Sequence, residues 1–213
     1  MGTYNKGILG AFSGKVGPVV GANWRGKEVL RSLPRKSNKA ATPEQALHRL
    51  KFASVIGFLG PIYPILSRYY GANQGEKSRV NRAMSYHMKE VIVYADPDFT
   101  FAYNKVQLAK GYLIGVEAGA ISTATTNTID FSWNDNSGQG EAVATDKLVV
   151  GVYDAATKNW IYSLGVADRS ATTGSLLLPI TLSGATVEVW ALFASADGKR
   201  NSTSTYLGNV VVS

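Results

Sequence analysis

Apolar positions recur along this 213-residue chain with two different periods, and the change falls near Pro97. Before it the period is helical. Val80, Met84, His87, Met88 and Val91 stand at i, i+4, i+7, i+8 and i+11, one face of an α-helix, while Lys77, Arg79, Arg82 and Lys89 fall largely off it. This predicts a helix that is half buried and half cationic, ended at Asp96-Pro97 because the residue before a proline is pushed out of the helical region. Upstream, Thr42-Pro43-Glu44-Gln45 is a helix start: Thr42 caps, Pro43 takes the first helical position, and Gln45 closes a capping box. That helix is expected to reach Gly57 or Leu59. From Phe52 to Leu66 no residue is charged, but fifteen residues interrupted by Gly57, Gly60, Pro61 and Pro64 are too short and too broken for a membrane span of about 20. A buried helix followed by a kinked second segment is expected instead, and no membrane span.

Beyond Pro97 the period is two. Phe99, Phe101 and Tyr103 alternate, then Val106 and Leu108, and a glycine-rich passage from Gly111 to Gly119 follows. Alternating runs then recur at Ile129 to Trp133, Leu148 to Val152, Trp160 and Tyr162, Leu176 and Leu178, Val187 to Phe193 and Tyr206 to Val212, with a short piece near Val166. Asn-Asp-Asn-Ser-Gly, Ser-Gly and Asp-Gly turns separate them. Six or seven short strands at this spacing predict an antiparallel β-sandwich of immunoglobulin or fibronectin-III type, with Trp133 as its core anchor.

The N-terminal stretch fits neither pattern. Glycine recurs at 7, 10, 14, 17, 21 and 26 among apolar and cationic residues, so the backbone can bend or approach another chain closely. Val16 to Trp24 and Glu28 to Leu33 are expected to pair as a hairpin across Arg25-Gly26-Lys27. The fold expected is therefore α+β: a glycine-rich basic arm or hairpin over 1–41, a helical segment of two helices over 42–96, strands and linker over 97–119, and the sandwich over 120–213.

Charge sharpens this division. Residues 1–94 carry 15 Lys/Arg against 4 Asp/Glu, a net of +11, whereas 95–213 carry 7 against 11, a net of −4. A basic half joined to a mildly acidic half suits a polyanion, an anionic membrane surface, or the acidic half of a neighbouring copy. There is no cysteine, which excludes disulfides, thiolate metal sites and cysteine nucleophiles. The apolar run Ile8 to Phe12 is broken by Gly10 and stopped by Ser13-Gly14-Lys15, short of a signal peptide, so synthesis in the cytoplasm is expected, with a place in an assembled particle. Lys6 stands where myristoylation wants Ser or Thr.

Candidate chemistry is thin. Gly14-Lys15 lacks both the earlier glycine and the following Ser or Thr of a phosphate loop, since Leu9 and Val16 stand there. His48 and His87 lie on different predicted helices without carboxylates at ligand spacing, which favours interface or helix-surface roles over a metal. Carboxylates cluster where turns are expected, at Asp96/Asp98, Asp130/Asp135 and Asp146, and no serine sits in a Gly-x-Ser-x-Gly elbow. Asn201-Ser202-Thr203 reads as a polar hairpin tip. Neither an enzyme nor a cofactor is implied. What stands out is the cationic set Lys6, Lys15, Arg25, Lys27, Arg31, Arg35, Lys36, Lys39, Arg49 and Lys51, interleaved with Phe12 and Trp24. Phosphates would be drawn to the charge and bases could stack on the two aromatics, without sequence preference.

Several motifs occur together: Gly7-Ile8-Leu9-Gly10, Phe12-Ser13-Gly14-Lys15-Val16-Gly17, Val19-Val20-Gly21, Trp24 and Gly26-Lys27, and Arg31-Ser32 before Pro34. Thr42-Pro43-x-Gln45 with Arg49 and Lys51-Phe52, Asn81-x-Ala83-Met84-Ser85-Tyr86, Trp133-x-Asp135-Asn136 and Ser204-x-Tyr206-Leu207-Gly208 follow. The combination, spanning nearly the whole chain, resembles a DUF6266-like family of uncharacterised proteins common in Bacteroidota. The resemblance implies a source among those bacteria or their phages, and it carries no catalytic residues. Thr42-Pro43 departs from it in lacking the usual preceding arginine. The expected function is a non-enzymatic structural building block that self-associates through its arm into a filament, particle or virion component. A nucleic-acid-binding module using the basic half is the alternative. The residues expected to carry either contact are Phe12, Lys15, Trp24, Arg25, Lys27, Arg31, Arg35, Lys36 and Lys39.

Overall fold

A computed structural model describes residues 2–4, 10–24, 26–35, 39–73, 75 and 77–213. The chain forms two compact units, 1–45 and 46–213. Its class is α+β, with three α-helices among the described residues and antiparallel sheets that dominate the C-terminal half.

The first unit is a four-stranded meander of β1 (Gly2–Tyr4), β2 (Phe12–Val16), β3 (Val19–Trp24) and β4 (Lys27–Ser32), in that order. The expected hairpin is its last pair, with Trp24 opposite Lys27. The expected single strand from Val16 to Trp24 is corrected: Val16 pairs with Val19 across a two-residue Gly17-Pro18 turn, where Gly17 supplies a φ of +56°. Gly21 has a different role. A Cβ there would lie 1.9 Å from the Phe12 carbonyl oxygen, so only glycine lets β2 cross β3 this closely.

Thr42 and Gln45 form the expected capping box, each backbone N–H donating to the other's side-chain oxygen at 3.3 Å. The helix they open, α1, runs Pro43–Leu59. Replacing Thr42 with alanine should cost about 1 kcal/mol of local helix stability, read as faster amide exchange in the first turn and unchanged exchange at Phe58. The kinked second segment is a separate helix, α2 (Tyr63–Tyr69), so the two helices expected become three with α3 (Arg79–Tyr86). Gly60 and Pro61 break the apolar run, and α1 and α2 meet at 85°. Among the described residues no single helix is long and apolar enough to cross a membrane. Val55, Phe58, Leu59, Ile62, Ile65 and Leu66, the apolar residues of that run, are buried in the second unit's core.

Asp96-Pro97 does not end the third helix. The chain leaves α3 through a π-helical turn over His87–Val91, and Asp96-Pro97 is the turn between β5 (Ile92–Ala95) and β6 (Asp98–Phe101). The expected apolar face nevertheless holds: His87 and Val91 are buried with Ala83, and Val80, Met84 and Met88 pack against the same core. Tyr103, Val106 and Leu108 were expected in strands and lie in none. Tyr103 opens a short 3-10 turn, and the Leu108 N–H is satisfied by Ser204 Oγ at 2.8 Å instead of by a ladder.

The C-terminal strands form two sheets. One has the order β11 (Thr173–Leu177), β8 (Thr128–Ser132), β7 (Ala120–Ser122), and the other β10 (Asn159–Ser163), β9 (Lys147–Asp154), β12 (Thr186–Ala194), β13 (Thr205–Val211). The piece near Val166 joins neither as a named strand; it exchanges hydrogen bonds with Leu148 at 2.8 Å. β9 and β12 are buried on both faces. Leu148, Val150 and Val152 meet Ile129, Phe131 and Trp133 of the smaller sheet's side, whereas Val149, Tyr153, Trp190 and Leu192 meet the helices. The larger sheet is thus a middle layer, which is why its strands read as nearly continuous apolar runs. Phe58 of α1 seals the helical side: it stacks on Phe101 at 4.2 Å, and its carbonyl accepts from Trp160 Nε1 at 2.7 Å.

Candidate interaction surface

Register decides which residues of the meander act together. Lys15, Val20 and Arg31 share one row across β2, β3 and β4, and Trp24 with Lys27 forms a row on the same face. The alternate rows, on the other face, hold Val16, Val19 and Ser32, then Gly2, Gly14, Gly21 and Leu30. Lys15 and Arg31 stand two strands apart, roughly 10 Å, and Arg31 and Lys27 four residues apart, roughly 13 Å. One face is therefore cationic with an exposed tryptophan at its end.

The other face is apolar. Phe12 lies there, its ring 2.9 Å from where a Gly21 Cβ would be and 3.4 Å from that of Gly2. Val16 and Leu30 on this face are 49% and 64% exposed. Phe12 and Trp24, paired in the expectation as two stacking aromatics, thus point to opposite sides of the sheet. Arg35 and Lys39 are exposed beyond β4, and Arg25 and Lys36 lie outside the described residues, as do Lys6 and Gly7-Ile8-Leu9. Sequence reading missed Val16, Val19 and Leu30 as members of one surface, because Gly17-Pro18 had been placed inside a strand and the face parity was lost. Among the described residues of this unit, Gly21 alone is buried.

Motif residues of the second unit have structural partners. Trp133 Nε1 donates to the Arg169 carbonyl at 2.7 Å, and Asn136 accepts from the Arg169 guanidinium while donating to the Gly115 carbonyl at 3.0 Å. Tyr86 donates to the Lys105 carbonyl at 3.0 Å, and Ser204 Oγ accepts from the Leu108 and Ala109 N–H groups. Together with the Phe12 to Gly21 meander, this Trp-x-Asp-Asn staple and the closing Ser-x-Tyr-Leu-Gly strand extend one pattern across the fold, and a family model covers residues 11–208. The chain belongs to DUF6266, a family of unknown function. No curated protein matches it.

Two further expectations for this DUF6266 chain are corrected. His87 is not a helix-surface residue but is fully buried, its Nδ1 donating to the Ala83 carbonyl at 2.8 Å. Burial pushes its pKa down to about 4, against the smaller opposing effect of that hydrogen bond. Asn201 is not at an exposed hairpin tip: it is buried, and its side chain donates to the Tyr69 and Ser202 carbonyls at 2.8 and 2.9 Å. The tip lies a few residues earlier, where Asp197 accepts from Ser195 Oγ and the Lys199 N–H, two bonds that hold its carboxyl pKa down.

Proposed function

We propose that the protein is a non-enzymatic building block that self-associates through the meander of residues 2–32. We further propose that residues 120–213 are an immunoglobulin-like sandwich of fibronectin-III type that each copy carries. The observation that supports the first reading most is the near-absence of burial in the meander. A sheet is stabilised by covering an apolar face, and one with Val16 and Leu30 half to two-thirds exposed gains little from folding alone. A second copy is a suitable cover. The net +11 of residues 1–94 also complements the net −4 of residues 95–213 of a second copy. Supporting the second reading, seven antiparallel strands lie in sheets of three and four, with the chain passing between sheets from β8 to β9, from β10 to β11 and from β11 to β12. The ring of Trp133 sits edge-on to Phe193 in their shared core at 5.9 Å.

Light scattering after size exclusion, at low and high salt and with and without nuclease, tests this. An assembly larger than a monomer is expected under all four conditions, because apolar docking is not weakened by salt. Changing Val16 and Leu30 together to aspartate is expected to leave a monomer whose second unit melts as before. A wild-type monomer, or a doubly substituted chain that assembles equally well, would refute the reading. The cationic face supports a second reading, non-sequence-specific nucleic-acid binding by Lys15, Trp24, Lys27 and Arg31; it requires nuclease to change the solution mass.

A further inference from the structure

Four stretches of the second unit converge on a cavity of about 340 Å³: the turn after α2, α3, residues 110–112, and residues 199–201 before β13. Arg79, Arg82, Lys110, Lys199 and Arg200 line it, with Tyr112 71% exposed among them, and no carboxylate joins the lining among the described residues. The cluster is built, not incidental. Arg79 donates to the Arg68 carbonyl and, at 3.4 Å, to that of Ser67, and Arg82 donates to the Ala72 carbonyl. Those contacts orient the guanidinium groups without neutralising them. Gly71 and Lys110 are tied by a 2.7 Å backbone bond, and a Cβ on Gly111 would meet the Asn201 carbonyl at 1.8 Å, so the walls are fixed to each other. Two carboxylates approach from outside the lining. Glu141 pairs with Arg200 at 3.2 Å, and Asp197 with Lys199 at 4.0 Å, both in solvent-exposed geometry worth little.

Five cations around one cavity repel each other unless an anion joins them. The form of that anion follows from what adjoins the cavity. A second depression shares Arg79 and contains Ser78 and Asn81; a third shares Arg82 and contains Lys77 and Lys89, three cations against the single carboxylate of Glu90. The positive surface is therefore a track along α3 rather than a single socket, and its exposed tyrosine offers a flat apolar platform beside the charge. We propose that this track binds single-stranded nucleic acid through its phosphates, with Tyr112 as a stacking surface for a base. Neither sequence preference nor duplex geometry is required: a stacking face accepts any base, and unpaired bases are free to meet it.

Fluorescence anisotropy with the full chain and a labelled oligothymidylate of about 20 nucleotides tests this. Binding is expected to weaken steeply between about 50 and 200 mM salt, as phosphate contacts require. Lys110→Glu with Lys199→Glu, both at exposed positions, is expected to weaken it at least tenfold with an unchanged melting temperature. Tyr112→Ala is expected to cost about tenfold at every salt concentration. Glu141→Gln, which releases Arg200, is expected to tighten binding. Removing charges of the first unit through Lys15→Gln, Lys27→Gln, Arg31→Gln and Arg35→Gln separates this site from that unit, since the Lys110/Lys199 effect should persist in that background. The proposal is overturned if the wild-type chain does not bind, if the Lys110/Lys199 variant binds as wild type, or if inorganic phosphate competes as well per phosphate as the oligonucleotide, which would make this a free-anion site.

Discussion

Replacing Asp146 with alanine is expected to lower the stability of the second unit by about 3–5 kcal/mol. Arg169 explains why. Its side chain is fully buried, its Nε donates to Asp146 Oδ2 at 3.1 Å, its Nη2 lies at ion-pair distance, 3.1 Å, from the same oxygen and donates to the Ile114 carbonyl at 3.1 Å, and its Nη1 donates to Asn136. The guanidinium lies 3.9 Å from the Phe193 ring centre. Burial pulls the Arg169 pKa down, and the Asp146 charge opposes that. Removing the carboxylate leaves a cation in the interior with only the exposed Asp135 carboxylate acting on it, which costs far more than the pair gains. The double change of Asp146→Leu with Arg169→Met removes both charges and should recover most of the loss in urea unfolding. If the double variant is no more stable than Asp146→Ala, the cost lies in lost packing and not in the stranded charge.

The second large effect is a loss of stability in acid. In the folded chain His87 stays neutral until about pH 4, whereas in the unfolded chain it takes a proton near 6.5. Above pH 6.5 neither state is charged and His87 does not distinguish them. Between 6.5 and 4 the unfolded state binds more protons, so stability falls as pH falls, by up to about 1.4 kcal/mol per pH unit and about 3 kcal/mol in all. The ring is held between Tyr86 and Tyr70, whose centroids lie 5.4 and 6.5 Å away, and its Nε2 has no hydrogen-bond partner among the described residues. A proton placed there would be buried and unshared. Thermal unfolding from pH 7 to 4.5 should show this slope in the wild type and lose it in His87→Phe. Identical slopes in the two proteins would sink the assignment. The exposed carboxylates Asp135 and Asp197, both held below the usual range by hydrogen bonds, also weaken the fold in stronger acid, and they do so equally in both proteins.

How much of this was legible depended on how local the cause was. The capping box at Thr42 and Gln45 was readable because its donors and acceptors lie within four residues. The apolar face of α3 and its continuation was readable because periodicity survives the change from an α-helix to a π-turn at His87. The switch to strands at Ile92 was not, because Ile92-Val93-Tyr94-Ala95 is as acceptable to a helix end as to a hairpin; pairing with Asp98–Phe101 decides it. In the meander, a proline read as one residue within a strand was the turn itself, and that shift of parity hid which side chains share a face.

The sites separate in the same way. The basic character of the first 94 residues was plain from composition, yet composition could not show that Lys15 and Arg31 share a row while Phe12 faces away. It could still less show that Arg79 and Arg82 meet Lys110, Lys199 and Arg200, the last two separated from them by more than half the chain. By itself the sequence determined element type wherever hydrogen bonds close within one helix turn, the α+β class, family membership and the sign of charge in each half. Only tertiary structure decided the burial of His87, the pairing of Arg169 with Asp146, and the convergence of cations around the cavity. The physical reason is common to all three: each depends on contacts between segments distant in sequence, whose geometry is set by packing the helices on the middle sheet, and no local propensity encodes it.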